Sequence, residues 1–300
     1  MINNIKLTLL IVLLPFLGVA QELPGLFSSE IDSLNKYGKE IIESSTDEQK
    51  AAANIKFKAI LEEVLANNAS FDADFSKVEK ISVLKAHQLK IYNWTLPHTD
   101  GTYTYFAFTQ FKTSDEKVIV TELIDKSAEL DKLETKTFTA NTWFGALYYE
   151  IIHDKKIGED YYTVLGWDGN NLMTNKKVID VIVVDNKGNI KLGAPIFKME
   201  KRTQRRVIFE YAKMATMSLK YHKNQKKIIF NQLDPENSKL KGVYEYYVPN
   251  QKYLDALILS KGKWIIEKNT EDAKLEKSKS DKNWNDPNKK SKVKIEDGLR

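Results

Sequence analysis

Four histidines, His87, His98, His153 and His222, are the side chains best suited to proton transfer or metal ligation near neutral pH. None of them falls in a metal-ligating or catalytic spacing. His98 and Asp100 come nearest, because alternate residues of an extended segment can converge on one ion. Pro97 and Gly101 flank them, however, and mark a turn. His153 and Asp154 close a strand that begins near Trp143, where neighbouring side chains point to opposite faces. The chain has no cysteine, which removes disulfides, thiolate metal sites, iron–sulfur clusters and cysteine nucleophiles together. It also contains no G-x-S-x-G elbow, H-E-x-x-H pair, P-loop or G-x-G-x-x-G. Paired carboxylates for glycoside cleavage leave no local trace. Asp168, Asp180, Glu210 and Glu245 lie in or beside expected strands, but the chain has 41 acidic residues and some must fall there by chance. No catalytic residue, metal ligand or cofactor is assigned on this evidence.

Two stretches have the makeup of binding surfaces. In Tyr161–Asn171 an aromatic strand runs into an Asp-Gly turn, and Trp167 beside Asp168 and Asn171 combines a ring face with carboxylate and amide partners, as a sugar platform would. The competing reading is a hairpin with a buried tryptophan. Between Lys198 and Lys227, ten lysines and arginines stand against Glu200 and Glu210, a local surplus of +8 in a chain whose net charge is +5. Arg202, Arg205 and Arg206 would be its strongest donors to an anionic partner. The competing reading is a set of charged strand ends and outward faces that resist edge pairing.

The elements that must position these residues are short. Phe27, Ile31, Leu34, Gly38 and Ile41 form one helical stripe. Thr46 and Gln49 have the spacing of a helix cap ahead of a second helix ending near Asn67. From about Ser76 the composition turns β-branched and aromatic, in runs broken by Thr99-Asp100-Gly101, Asp168-Gly169-Asn170, Asn186-Lys187-Gly188 and Lys261-Gly262. Such short connections predict antiparallel neighbours. The fold class expected is mainly β, an antiparallel sandwich or barrel-like meander with an N-terminal α-helical hairpin; a small propeller stays open. In Thr102–Lys112 both faces of the strand are aromatic, which predicts cover on both sides.

Residues 1–20 read as a secretory leader: Lys6, an apolar run from Leu7 to Val19, small Gly18 and Ala20, then polar Gln21-Glu22. The run is shorter than the ~20 residues a membrane-spanning helix needs. No cysteine follows the cleavage position, so no lipid anchor is expected. The organisation that results is a leader over 1–20, a helical hairpin over 21–75, a β-rich domain over 76–268 and a polar tail over 269–300 that reads as solvated.

Trp143–Tyr149, Tyr161–Asn171, Lys177–Val184, Arg206–His222 and Gly242–Trp264 together resemble a family of exported bacterial proteins without an assigned activity. The resemblance spans roughly Trp143 to Trp264 and implies export and one shared domain. Relatives in that family carry Asp-His where this chain has Asn231-Gln232, and Gly-Pro-Asp where it has Val248-Pro249-Asn250. Chemistry those groups performed in relatives would be missing from this chain. The expectation is therefore a periplasmic or secreted envelope protein that binds a glycan or protein partner rather than nucleic acid, with a hydrolase of polysaccharide or peptidoglycan as the alternative.

Overall fold

The computed structural model describes residues 25–270, apart from the side chain of Gln251. The expected leader and nearly all of the polar tail lie outside the described residues. Two helices, α1 (Ser28–Glu43) and α2 (Asp47–Ala66), form the hairpin. The Thr46 hydroxyl accepts the Gln49 backbone N–H at 3.3 Å, satisfying one of the donors that every helix start leaves free. At α1 the chain enters through Phe27 in a left-handed conformation with no side-chain cap.

A four-stranded antiparallel meander follows: β1 (Ser82–Ala86), β2 (Leu89–Pro97), β3 (Tyr103–Lys112) and β4 (Val118–Ile124). The next five strands are β5 (Phe138–Thr139), β6 (Leu147–His153), β7 (Tyr161–Asp168), β8 (Thr174–Val184) and β9 (Ile190–Leu192). They make a second sheet in the order β5-β9-β8-β7-β6. Then come β10 (Phe197–Lys198), β11 (Thr203–Gln204), β12 (Val207–Ala212), β13 (Leu219–His222), β14 (Lys227–Pro235), β15 (Tyr247–Ser260) and β16 (Lys263–Glu267). Of these, β12 returns to the second sheet and pairs with β8, while the other six build a third sheet, β11-β10-β16-β15-β14-β13. The β10–β16 pair is parallel within this otherwise antiparallel sheet.

Three buried clusters show how the layers stack. Leu34, Phe57 and Leu61 of the helices pack on Tyr92, Trp94 and Phe108 of the first sheet. The opposite face of that sheet, through Ile91, Tyr105 and Phe111, meets Trp143, Tyr148, Tyr162 and Val164 beside and within the second. The far face of the second sheet, with Leu165, Ile179 and Val181, packs on Phe197, Ile228, Leu257 and Trp264 in the third. Strand β3 thus has Tyr105 and Phe111 in one core and Phe108 in another, as its two aromatic faces require. Among the described residues no helix is long and apolar enough to cross a membrane.

Boundaries move where glycine or a turn interrupts the apolar pattern. Residues 142–146, expected to begin a strand, instead end a 3-10 turn (Ala140–Thr142) and carry Gly145 against the Asp125 carboxylate, where a β-carbon would collide. The run from Ile190 to Phe197 is split at Gly193, whose φ of 89° lies in the left-handed region. The β-branched and aromatic run Val243–Val248 reads as a strand in the sequence, but Tyr244–Tyr246 form a 3-10 turn and the strand is β15, which continues to Ser260.

One buried amide joins the first two sheets. Asn93 of β2 accepts the Tyr148 backbone N–H at 2.7 Å and donates to the carbonyls of Ser82 and Tyr148 at 3.0 and 3.2 Å. Asn93→Ala removes the acceptor of the buried Tyr148 N–H and one donor to each of the two carbonyls, the Tyr148 carbonyl keeping the Ser82 hydroxyl, and is expected to lower stability by about 1–3 kcal/mol. Urea unfolding of parent and variant measures it; an unchanged midpoint would refute the role.

Candidate functional site

The three arginines singled out in the sequence converge on one segment of the chain, residues 133–137, rather than on a surface for an anionic partner. Arg202 pairs with the Glu134 carboxylate. Arg205 donates to the Thr137 hydroxyl at 3.0 Å. Arg206 is fully buried: its Nε donates to Asp180 at 2.7 Å, and one terminal nitrogen donates to the Leu133 carbonyl at 2.7 Å. As part of an exposed anion-binding face Arg206 is therefore corrected, because a guanidinium sealed against its own counter-ion has no access to solvent or ligand. Burial pushes the Asp180 pKa up, while the Arg206 charge and hydrogen bond pull it down.

Trp167 is not an open platform either. Its ring lies edge-on to Tyr103 at 5.2 Å between centroids and is 7% exposed. Gly169 packs so tightly against Tyr103 and Trp167 that a β-carbon would overlap them. Asp168 accepts the Tyr105 hydroxyl at 3.0 Å and the Asn170 backbone N–H at 2.7 Å, and the same Tyr105 oxygen accepts the Gly169 N–H at 2.6 Å. The Asn171 oxygen accepts the backbone N–H groups of Met173 and Thr174, closing the turn into β8. All three residues are drawn together, but as the framework of a hairpin. Of the other acids considered, Glu210 accepts from Thr174 and Asn170. His98 bonds Thr104 at 2.8 Å inside the expected turn.

A concavity lies where the second sheet meets the third. A cleft of about 420 Å³ has Phe209 of β12, Phe230 of β14, Ile266 of β16 and Met199 among its lining residues. The two phenylalanine rings lie 4.6 Å apart. Around them stand Glu134 with Arg202, and Lys268 with Asp255 at 3.0 Å and Glu200 at 3.9 Å. Asp255, 3% exposed, also accepts from the Gln232 amide at 2.6 Å and the Asn269 backbone N–H at 3.1 Å. Gln204 of β11, 8% exposed, lines the same cleft, and its amide oxygen is buried with no hydrogen-bond partner. Of these residues the sequence reading singled out Arg202 and, through the family resemblance, Gln232. Phe209, Phe230 and Gln204 read as ordinary strand residues, and only the return of β12 to the second sheet sets them facing one another.

The two segments at which the chain departs from the family it resembles, Asn231-Gln232 and Val248-Pro249-Asn250, also meet. Asn231 donates to the Asn250 carbonyl at 2.9 Å, and Gln232 reaches Asp255 at the cleft. No family model matches the chain, and neither the curated proteins nor the solved structures contain a match to it.

Two predictions follow from the charges. Arg206→Ala strands a buried carboxylate and is expected to lower stability by about 3–5 kcal/mol, whereas Arg202→Ala, at an exposed pair, changes it by less than about 1 kcal/mol. Similar midpoints for the two variants in denaturant would contradict this. Burial holds the Asp168 carboxyl above its usual 3.8, against the Asn170 N–H and the Lys176 charge. The folded state therefore binds this proton more tightly than the unfolded chain. That contribution is present below the unfolded pKa and lost as pH rises through the native one. Asp168→Asn cannot ionise, and its stability is expected to rise relative to the parent as pH increases from the usual carboxyl value of 3.8 through the raised native one. A difference that stays flat or falls over that interval would sink the argument.

Proposed function

We propose that the protein is an exported binding protein of the cell envelope, and that its cleft takes an uncharged, hydroxyl-bearing ligand of the glycan class. The observation that carries the reading is a cleft lined by Phe209 and by Gln204, whose amide oxygen is buried without a hydrogen-bond partner. An unsatisfied buried acceptor costs about 1–3 kcal/mol, which a ligand hydroxyl donating to it would recover. Phe209, half-buried in the lining and backed by the buried Phe230 ring, supplies an apolar face for the carbon side of a ring. The volume of about 420 Å³ suits a small molecule or a short oligomer end. Glu134, Glu200 and Asp255 are balanced by Lys201, Arg202 and Lys268 around the lining, so the rim offers little net field to an ion.

The same pairing favours binding over hydrolysis. Glycoside cleavage needs one carboxyl free to give a proton and another free to attack or to activate water. Here Arg202 pairs with Glu134, and Lys268 pairs with Asp255 at 3.0 Å and lies 3.9 Å from Glu200. Export rests on the leader pattern of residues 1–20 and on the family resemblance.

Purified protein screened by thermal shift against neutral oligosaccharides and muropeptides is expected to give a saturable stabilisation, about 2.7 kcal/mol at a ligand concentration 100 times Kd. The shift should vanish in Gln204→Leu and shrink in Phe209→Ala, and the exported chain should begin at Gln21. A shift that survives both substitutions, or none with any glycan, would overturn the ligand assignment. A chain retained in the cytoplasm with residues 1–20 attached would overturn the location.

A further inference from the structure

Three ligating side chains far apart in sequence come together at the end of the first two sheets. His87 sits in the two-residue turn between β1 and β2, where Ala86 pairs with Leu89. His153 is the last residue of β6, and Glu159 lies in the connection to β7. Sheet packing brings the turn over the end of β6, as the Ser82 hydroxyl's bond to the Tyr148 carbonyl shows from the neighbouring part of the same strands. The two imidazole rings meet at 4.8 Å between centroids. His87 Nε2 lies 3.7 Å from Glu159 Oε2. One nitrogen of each ring and one carboxylate oxygen all fall within 4.8 Å of one another.

We propose that His87, His153 and Glu159 bind a divalent transition metal of the zinc class, with water completing the coordination. Two imidazoles and a carboxylate are a borderline donor set, suited to zinc rather than to magnesium or calcium, which prefer oxygen throughout. Tetrahedral bonds of about 2.0–2.1 Å place ligand atoms about 3.4 Å apart, so side-chain rotation of about 1 Å closes the present arrangement. His87 and Glu159 are solvent-exposed enough to rotate, at 38% and 58% side-chain exposure.

Two further features fit. His153 Nε2 is 2.9 Å from the Glu159 carbonyl oxygen. A carbonyl only accepts, so Nε2 carries the proton and Nδ1 keeps the lone pair, which is how the tautomer of metal-binding histidines is commonly set. Tyr162, fully buried, backs the His153 ring at 5.0 Å. His87 holds a φ of 49°, a left-handed turn position that glycine or asparagine fills with less strain. The competing group is Lys155, whose ammonium is 3.3 Å from Glu159 Oε1.

Calorimetric titration of the purified protein with Zn²⁺ tests the site. A saturable one-to-one isotherm is expected, with no comparable heat from Mg²⁺. His87→Asn retains a residue that tolerates the left-handed turn and should weaken Zn²⁺ binding about tenfold or more, as should Glu159→Gln. Lys155→Ala should bind at least as tightly as the parent, and His98→Ala should bind equally well. Circular dichroism and melting of the metal-free variants verify that the fold is intact. Absence of Zn²⁺ binding by the parent, an equal response to Mg²⁺, or undiminished affinity in a His87→Asn/His153→Gln double variant would overturn the proposal.

Discussion

A carboxylate and a guanidinium with no access to solvent can persist inside a protein only as partners, and Asp180 with Arg206 makes that constraint the hinge of this fold. Both are fully buried, joined at 2.7 Å where β12 begins to run alongside β8. The desolvation of two charges is offset only while the geometry stays good, so the start of β12 is tied to the middle of the second sheet. Arg206 also holds the Leu133 carbonyl and lies 5.0 Å from the Phe138 ring, which draws the segment before β5 into the same core. With Arg202 on Glu134 and Arg205 on Thr137, a basic run that looks like a surface for anions becomes a clamp on the chain itself.

That clamp has consequences for the cleft. Because β12 is anchored to β8, Phe209 faces the third sheet and meets Phe230, leaving Gln204 buried at the edge of the space between them. Polar groups elsewhere in the interior are mostly satisfied in pairs or networks, such as Asn93 between the first two sheets and Tyr92 with Gln110 beneath the helices. Among the described residues the Gln204 oxygen is one of several buried polar atoms without a hydrogen-bond partner, Asn175 Oδ1 and the second terminal nitrogen of Arg206 among them, and it is the one whose residue lines the cleft. The ion pairs around it reduce net charge while keeping the rim polar, a combination suited to recognising hydroxyls rather than ions.

The layered arrangement joins the helices, the first sheet and the second sheet through shared cores. Strand β3 lies between two cores, and its aromatic residues serve both. The helical hairpin has no separate interior; its apolar stripe is the outer lining of the first sheet. Tryptophans mark each layer junction: Trp94 under the helices, Trp143 between the first and second sheets, and Trp264 between the second and third, where its indole N–H donates to Thr163 at 3.0 Å.

Periodicity and turn chemistry were legible in the sequence. The stripe from Phe27 to Ile41, the Thr46 cap, most strands and the turns at Asp100-Gly101 and Lys187-Gly188 follow from local preferences that act over a few residues. Where local pattern and packing disagreed, packing decided: Gly145 and Gly193 break apparent strands because neighbouring side chains or backbone need their space or their φ. The sites were a different matter. Trp167, Asp168 and Asn171 are adjacent in sequence, and adjacency in a tight hairpin makes them framework. Phe209 and Phe230, or His87 and His153, come from separate strands and become neighbours only through long-range pairing and sheet stacking. No local signal records such a meeting, because its cause is the burial of apolar faces that also belong to other strands.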